Sequence, residues 1–117
     1  MDTIWIKKIG NSVDTPWLDW IVSGKKKYEG RVYQDDWKLI KIGDMITFDC
    51  GMYSATVKII DILHFSNFKT AFNKFGSELV PIPHILEEEV DNLYSQFYSK
   101  SCINEYGVIL LKLELVK

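Results

Sequence analysis

The chain has 117 residues, 47% of them apolar, which is enough for one domain with one real core and too little for several. Its 14 basic and 16 acidic side chains leave a formal charge of −2 at pH 7, which excludes the basic coat that strong non-specific nucleic-acid binding needs. A local basic pocket on a near-neutral body remains open, and it suits a small ligand or a short single strand better than a long duplex. No apolar stretch is long enough to span a bilayer, so no membrane partner is expected. The start, Met1-Asp2-Thr3-Ile4-Trp5, has no basic leader followed by an apolar run, so an intracellular protein without a signal peptide is expected. Cys50 and Cys102 lie far apart and form no C-x-x-C spacing, so buried reduced thiols are expected rather than a disulfide or a metal site.

Thr3 to Ile9 alternates weakly and reads as a first strand, followed by a turn at Gly10-Asn11-Ser12. Thr15-Pro16 predicts a helix start, with a hydroxyl at the cap and proline at the first helical position. Trp17, Trp20 and Ile21 then share one side of a short helix that Gly24 stops. These tryptophans read first as core, although one can line a pocket mouth and stack on a base.

Next comes the densest charge cluster of the chain, Gly24-Lys25-Lys26-Lys27-Tyr28-Glu29-Gly30-Arg31. Tyr28 to Tyr33 reads as a strand, so Glu29 and Arg31 point to one face. Lys26 lies where the chain leaves the helix, and strand parity does not fix its direction. If it swings over the same face, an ammonium, a carboxylate and a guanidinium converge. Arg31 is a planar fork suited to phosphate or to the polar edge of a base. Lys26 is a point charge whose pKa falls on burial, as a proton-transfer or nucleophilic role requires. Glu29 can orient either cation or accept a hydrogen bond from a ligand. The competing reading is a solvated lysine turn beside a surface ion pair of little energetic value.

Gln34-Asp35-Asp36-Trp37 reads as a loop, and Leu39 to Ile42 leads to a turn at Gly43-Asp44. Met45 to Cys50 is a strand with Ile46 and Phe48 on one face. Gly51 to Ser54 is a hairpin connection, and Ala55 to Leu63 is the longest strand, paired antiparallel with the one before it. Ser66 is the expected cap of a helix that places Phe68, Ala71, Phe72 and Phe75 at helical spacing and ends at Gly76. His64 reads as a satisfied polar residue unless an acid lies beside it.

Val80-Pro81-Ile82-Pro83 is a stiff connector to a longer helix beginning near His84 or Ile85. Its buried stripe is expected to be Leu86, Val90, Leu93 and Phe97, extended by Tyr94 and Tyr98. Glu87, Glu88 and Glu89 fall in the first turn, where the helix dipole favours them. Ser99 to Asn104 reads as a loop. Tyr106 to Val116 reads as the closing strand, with Leu111, Leu113 and Leu115 on one face. The P-loop, the dinucleotide fingerprint and the nucleophile elbow are absent, so no cofactor is expected.

Gly24-x-Lys26-x-x-Glu29-x-Arg31 resembles the signature of the ASCH domain family, a branch of the PUA-like β-barrels. Trp17 to Ser23 resembles the helix before that signature. Ile42-Gly43-Asp44-Met45-Ile46-Thr47-Phe48 resembles the family's hydrophobic-Gly-Asp turn and following strand. Tyr94 to Tyr98 and Glu105-Tyr106-Gly107-Val108-Ile109 resemble its last helix and closing strand. The resemblance runs over nearly the whole chain, residues 1–117 as a single domain. It implies an α+β fold: a small curled β-barrel of about five to six mostly antiparallel strands with three flanking helices.

The resemblance also implies RNA or nucleotide and nucleoside ligands. They would be held by Lys26, Glu29 and Arg31, with Lys25, Phe65 and Ser66 as neighbours at the strand-to-helix junction. Some members resemble small amidohydrolases acting on acylated cytidine, or ribonucleases, and in an enzyme Lys26 and Glu29 would be the catalytic pair. The amidohydrolase-like members carry threonine where this chain has Glu29, so the hydroxyl nucleophile is missing. Their second acid has no match here beyond Glu87 as a neighbour in position. Three functions follow for testing: a nucleotide- or RNA-binding module, a small hydrolase, and an interaction domain whose charge cluster only keeps it soluble.

Overall fold

In the computed structural model, which describes residues 3–116, the first strand, β1, spans Ile4–Lys8. Helix α1 (Trp17–Ser23) leads through the lysine turn into β2 (Tyr28–Val32). A 3₁₀ turn, Asp35–Leu39, precedes the hairpin of β3 (Met45–Asp49) and β4 (Ser54–Phe65). Helices α2 (Phe68–Phe75), α3 (Glu87–Ser95) and α4 (Lys100–Tyr106) follow, and β5 (Val108–Leu115) ends the chain. Met1 and Asp2, which open the stretch expected to carry no leader, and Lys117 lie outside the described residues. Among the described residues no helix is long and apolar enough to cross a membrane.

The strands form one sheet in the order β1-β3-β4-β5-β2. Four strands pair antiparallel in sequence-local or closing ladders, whereas β1 runs parallel to β3, with Ile4 opposite Met45. A parallel pair needs a crossover, and α1, β2 and the 3₁₀ turn supply it. The Asp44 carboxylate pins this pairing: it accepts from the Thr3 N–H at 3.1 Å, the Trp5 indole N–H at 3.0 Å and the Lys41 N–H at 2.9 Å. A register shift between Ile59 and Asp61 bends the long β4, which helps the sheet curl. One core fills the inside of the curl with Leu18, Ile21, Trp37, Ile46, Phe48, Val57, Ile59, Ile109 and Leu111. The other lies under α2 and α3 and holds Phe68, Leu79, Val90, Tyr94, Val108 and Leu110.

This is the expected curled α+β sheet, with five strands but four helices instead of three. The extra helix is α4, which occupies the segment expected as a loop. Ser99 caps it by accepting from the Cys102 N–H at 3.2 Å, and Gly107, at φ +72°, ends it. The preceding helix is correspondingly shorter and later. His84 holds φ +61° in a turn, so α3 starts at Glu87, where the Glu89 carboxylate accepts from the Leu86 N–H at 3.1 Å. The expected stripe shrinks to Val90 and Leu93 with Tyr94 and, in the turn after the helix, Tyr98, while Leu86 and Phe97 are exposed.

Two caps also differ. Asn67, not Ser66, caps α2 by accepting from the Thr70 N–H at 2.8 Å. Thr15 makes no side-chain cap for α1; its hydroxyl pairs with Ser12 at 3.0 Å, and Pro16 takes the cap position. The two cysteines are unpaired and half-buried.

Candidate functional site

β2 lies at one edge of the sheet and β1 at the other, and backbone hydrogen bonds do not join them. Arg31 spans the gap instead: its Nη2 donates to the Lys8 carbonyl at 3.3 Å. A recess of about 220 Å³ opens beside this bridge. The end of β1 contributes Lys8, Ile9 and Gly10, and the start of α1 contributes Trp17. Glu29, Gly30 and Arg31 form the floor, and Tyr94, Phe97 and Tyr98 come from the end of α3 and the turn after it.

Strand pairing explains why Glu29 and Arg31 face the same way. They stand opposite Leu111 and Ile109, which point into the inner core. Gly30 faces the other layer, where a β-carbon would come within 3.2 Å of the Phe68 ring and 3.4 Å of the Leu79 side chain. Any larger residue here would require the Phe68 ring to give way for α2 to stay this close to the strand.

The polar groups form a chain. The Arg31 Nη2 and Nε donate to Glu29 Oε2 at 2.9 Å and 3.3 Å. The Lys26 ammonium lies 3.5 Å from Glu29 Oε1, donates to the Leu79 carbonyl, and stands 5.0 Å from the centre of the Trp17 ring. Trp37 stacks on Arg31 at 4.7 Å from its guanidinium carbon, with Lys7 4.5 Å from the same ring. Lys7 is in turn held by Asp36. Arg31 is therefore fixed by a carboxylate, a carbonyl and an aromatic face at once.

Lys26 and Glu29 are only 1% and 4% exposed, so their charges depend on each other. Burial pulls the Lys26 amine down to about 8, against the opposing pull of Glu29. Burial alone would raise the Glu29 carboxyl, but Arg31 and then Lys26 outweigh it and hold it below the usual carboxylate range. Burial likewise works against the Arg31 charge, and Glu29 more than restores it. The Tyr94 hydroxyl is pushed well above the ordinary tyrosine range by burial and then by Glu29, so it stays protonated.

The residues singled out in the sequence separate into three groups. Glu29 and Arg31 line the recess. Lys26 meets them from behind: it touches Glu29 but does not line the recess. Lys25, Phe65 and Ser66 lie elsewhere. Lys25 and Ser66 are exposed, and Phe65 is half-buried against Phe75, edge to face at 6.2 Å. His64 is exposed and edge-on to Tyr33 at 4.9 Å, with no acid paired to it among the described residues. The residues that sequence reasoning assigned to other duties are Tyr94, Phe97 and Tyr98, while Trp17 is one of the two tryptophans read first as core with a pocket mouth as the alternative. The one available signal was the pair of tyrosines four apart, Tyr94 and Tyr98, with Phe97 beside them. Among the described residues no cluster of His, Cys, Asp and Glu is arranged to hold a metal ion.

A five-stranded curled sheet with helices over one layer, open at a polar seam, is a PUA-like α+β domain. The chain belongs to the ASCH domain family, whose model matches residues 12–117. Two solved structures are similar over their full lengths. The crystal structure of the hypothetical protein PH0355 is 31% identical, covers 97% of this chain and 100% of its own, and superimposes with a TM-score of 0.85. The solution structure of protein PF0455 from Pyrococcus furiosus is 27% identical, covers 98% and 99% respectively, and has a TM-score of 0.77. No curated protein matches.

Proposed function

We propose that this domain binds RNA or a nucleotide by taking a base into the recess beside β1 and β2. The observation that carries this reading is the Glu29–Arg31 pair, fixed on the floor of a concave site whose walls are Ile9, Trp17, Tyr94, Phe97 and Tyr98. A few convergent polar groups between apolar and aromatic walls make the ordinary form of a small-ligand site. Phe97 is 57% exposed at this site, placed to stack on a planar ring. The net charge of −2 fits a ligand met at one pocket rather than along a coat. Fluorescence titration with short single-stranded RNA and with nucleotides tests the reading. Arg31→Ala should lose affinity at least tenfold while the ligand is recovered unchanged. Undiminished binding by Arg31→Ala would refute it.

A second reading, hydrolysis of RNA or of an acylated nucleoside, draws on the Lys26 amine, whose pKa of about 8 lies near that of a useful general base. Its burial behind Glu29 means that any proton it moves must pass through that carboxylate. Turnover that disappears in Lys26→Met and in Glu29→Gln would support this reading over simple binding.

A further inference from the structure

Tyr94 has a hydroxyl that the fold itself leaves without a partner. The oxygen is buried and makes no hydrogen bond, while the residue is only 4% exposed. A buried hydroxyl left unsatisfied destabilises a protein, and phenylalanine would fill the same space without that cost. The ring cannot turn to find a partner. It stacks on Phe68 at 3.7 Å with 5° between the planes, and Trp17 packs against it at 6.0 Å. The hydroxyl thus belongs to a rigid side chain that lines the recess together with Glu29 and Arg31.

We infer that Tyr94 is a ligand-contacting residue: its hydroxyl donates to an acceptor atom on the edge of a flat heterocycle whose neighbouring N–H group is received by Glu29. This rests on the base-binding reading above and narrows it. A carboxylate accepts about four hydrogen bonds. Glu29 uses its oxygens on Arg31 and Lys26, which leaves capacity for a ligand N–H. Arg31 spends three of its five N–H groups on Glu29 and Lys8, and the Tyr98 hydroxyl lies within reach of a fourth, so one donor remains for a ligand. The polar wall therefore offers an acceptor together with donors, and its complement is an edge that carries both a donor and an acceptor.

Nucleobases have such edges and phosphate does not. A phosphate in the recess would bring its negative charge against the Glu29 carboxylate. Size agrees: a cavity of ~150 Å³ already accepts a benzene ring, and this one, about 220 Å³, takes a heterocycle but not a whole nucleotide. Sugar and phosphate are left at the mouth.

The test uses cytidine, uridine, adenosine and guanosine as separate probes, with affinity by ligand-observed NMR titration and stability by calorimetry. At least one nucleoside should bind the wild-type chain, and inorganic phosphate should not displace it. Tyr94→Phe should weaken that nucleoside about 3- to 10-fold, the loss of one hydrogen bond, while its melting temperature stays equal or rises. Equal affinity in Tyr94→Phe overturns the inference and leaves base binding standing. A lower melting temperature also overturns it, because the hydroxyl then has an internal partner. Displacement by phosphate overturns the assignment of the ligand edge. If no nucleoside binds the wild type, the base-binding reading falls and this inference falls with it.

Discussion

The buried amine of Lys26 makes the stability of this domain depend on pH in an unusual direction. In the unfolded chain the amine titrates at 10.5, and in the folded protein burial lowers it to about 8. Between these values the unfolded state binds more protons, so raising the pH favours the folded state. The contribution is complete above the unfolded pKa and is lost as pH falls through the folded one. The whole difference corresponds to about 3 kcal/mol, of which about 1 to 2 kcal/mol falls between pH 8 and 9.5. That narrower window matters, because burial raises Tyr28, Tyr53, Tyr94 and Tyr98, whose opposite effect grows above pH 10. Urea unfolding of the wild type and of Lys26→Met should be measured at intervals across the window. The wild type should gain about 1 to 2 kcal/mol on the variant as the pH rises. Lys26→Met differs in absolute stability at every pH, since it leaves the Glu29 carboxylate without one of its cations and the Leu79 carbonyl without its donor; only the slope is diagnostic. Parallel curves would show that the amine is not desolvated behind Glu29, and the arrangement described for the site would be wrong.

The remaining predictions concern the supports of the pair. Trp37→Leu removes the face on which Arg31 stacks at 4.7 Å, whereas Trp37→Phe keeps an aromatic face there. Both variants should lose stability, but nucleoside affinity should fall further in the leucine variant, by about 3- to 10-fold relative to phenylalanine, the range of a partly desolvated cation–π contact. Equal affinities would mean that the stack does not hold Arg31. Gly30→Val places a branched side chain against Phe68 and Leu79, where even a β-carbon comes within 3.2 Å and 3.4 Å. Chemical denaturation should show a loss of about 1–3 kcal/mol, the usual cost of overpacking; a neutral result would mean that α2 yields freely.

How far the sequence discloses this site depends on which physical rule governs each residue. Glu29 and Arg31 follow from strand parity alone, because a pleated strand forces residues two apart onto one face. Gly43-Asp44 was equally legible as a turn, though not as the anchor of a parallel pair: the Asp44 carboxylate reaches Trp5, 39 residues away, and no local pattern encodes that. Lys26 is legible as a candidate, but its direction is not, because it belongs to the turn between α1 and β2. Its backbone N–H is held by the Trp20 carbonyl at 3.0 Å and its amine by Leu79, so the side chain lies under Glu29 instead of over the recess. Helical periodicity was the least reliable guide to the walls. It groups Leu86 and Phe97 with Val90 because the spacing fits, but α3 ends at Ser95, and the turn that follows swings Phe97 out to the recess. Periodicity reports which residues share a side of a helix; whether that side is covered, and where the helix stops, is decided by α4 and by Ser99. The same limit applies to Tyr94. Its burial is legible as core, but a stacked ring with an idle hydroxyl beside a buried ion pair exists only once three separate segments of the chain have met.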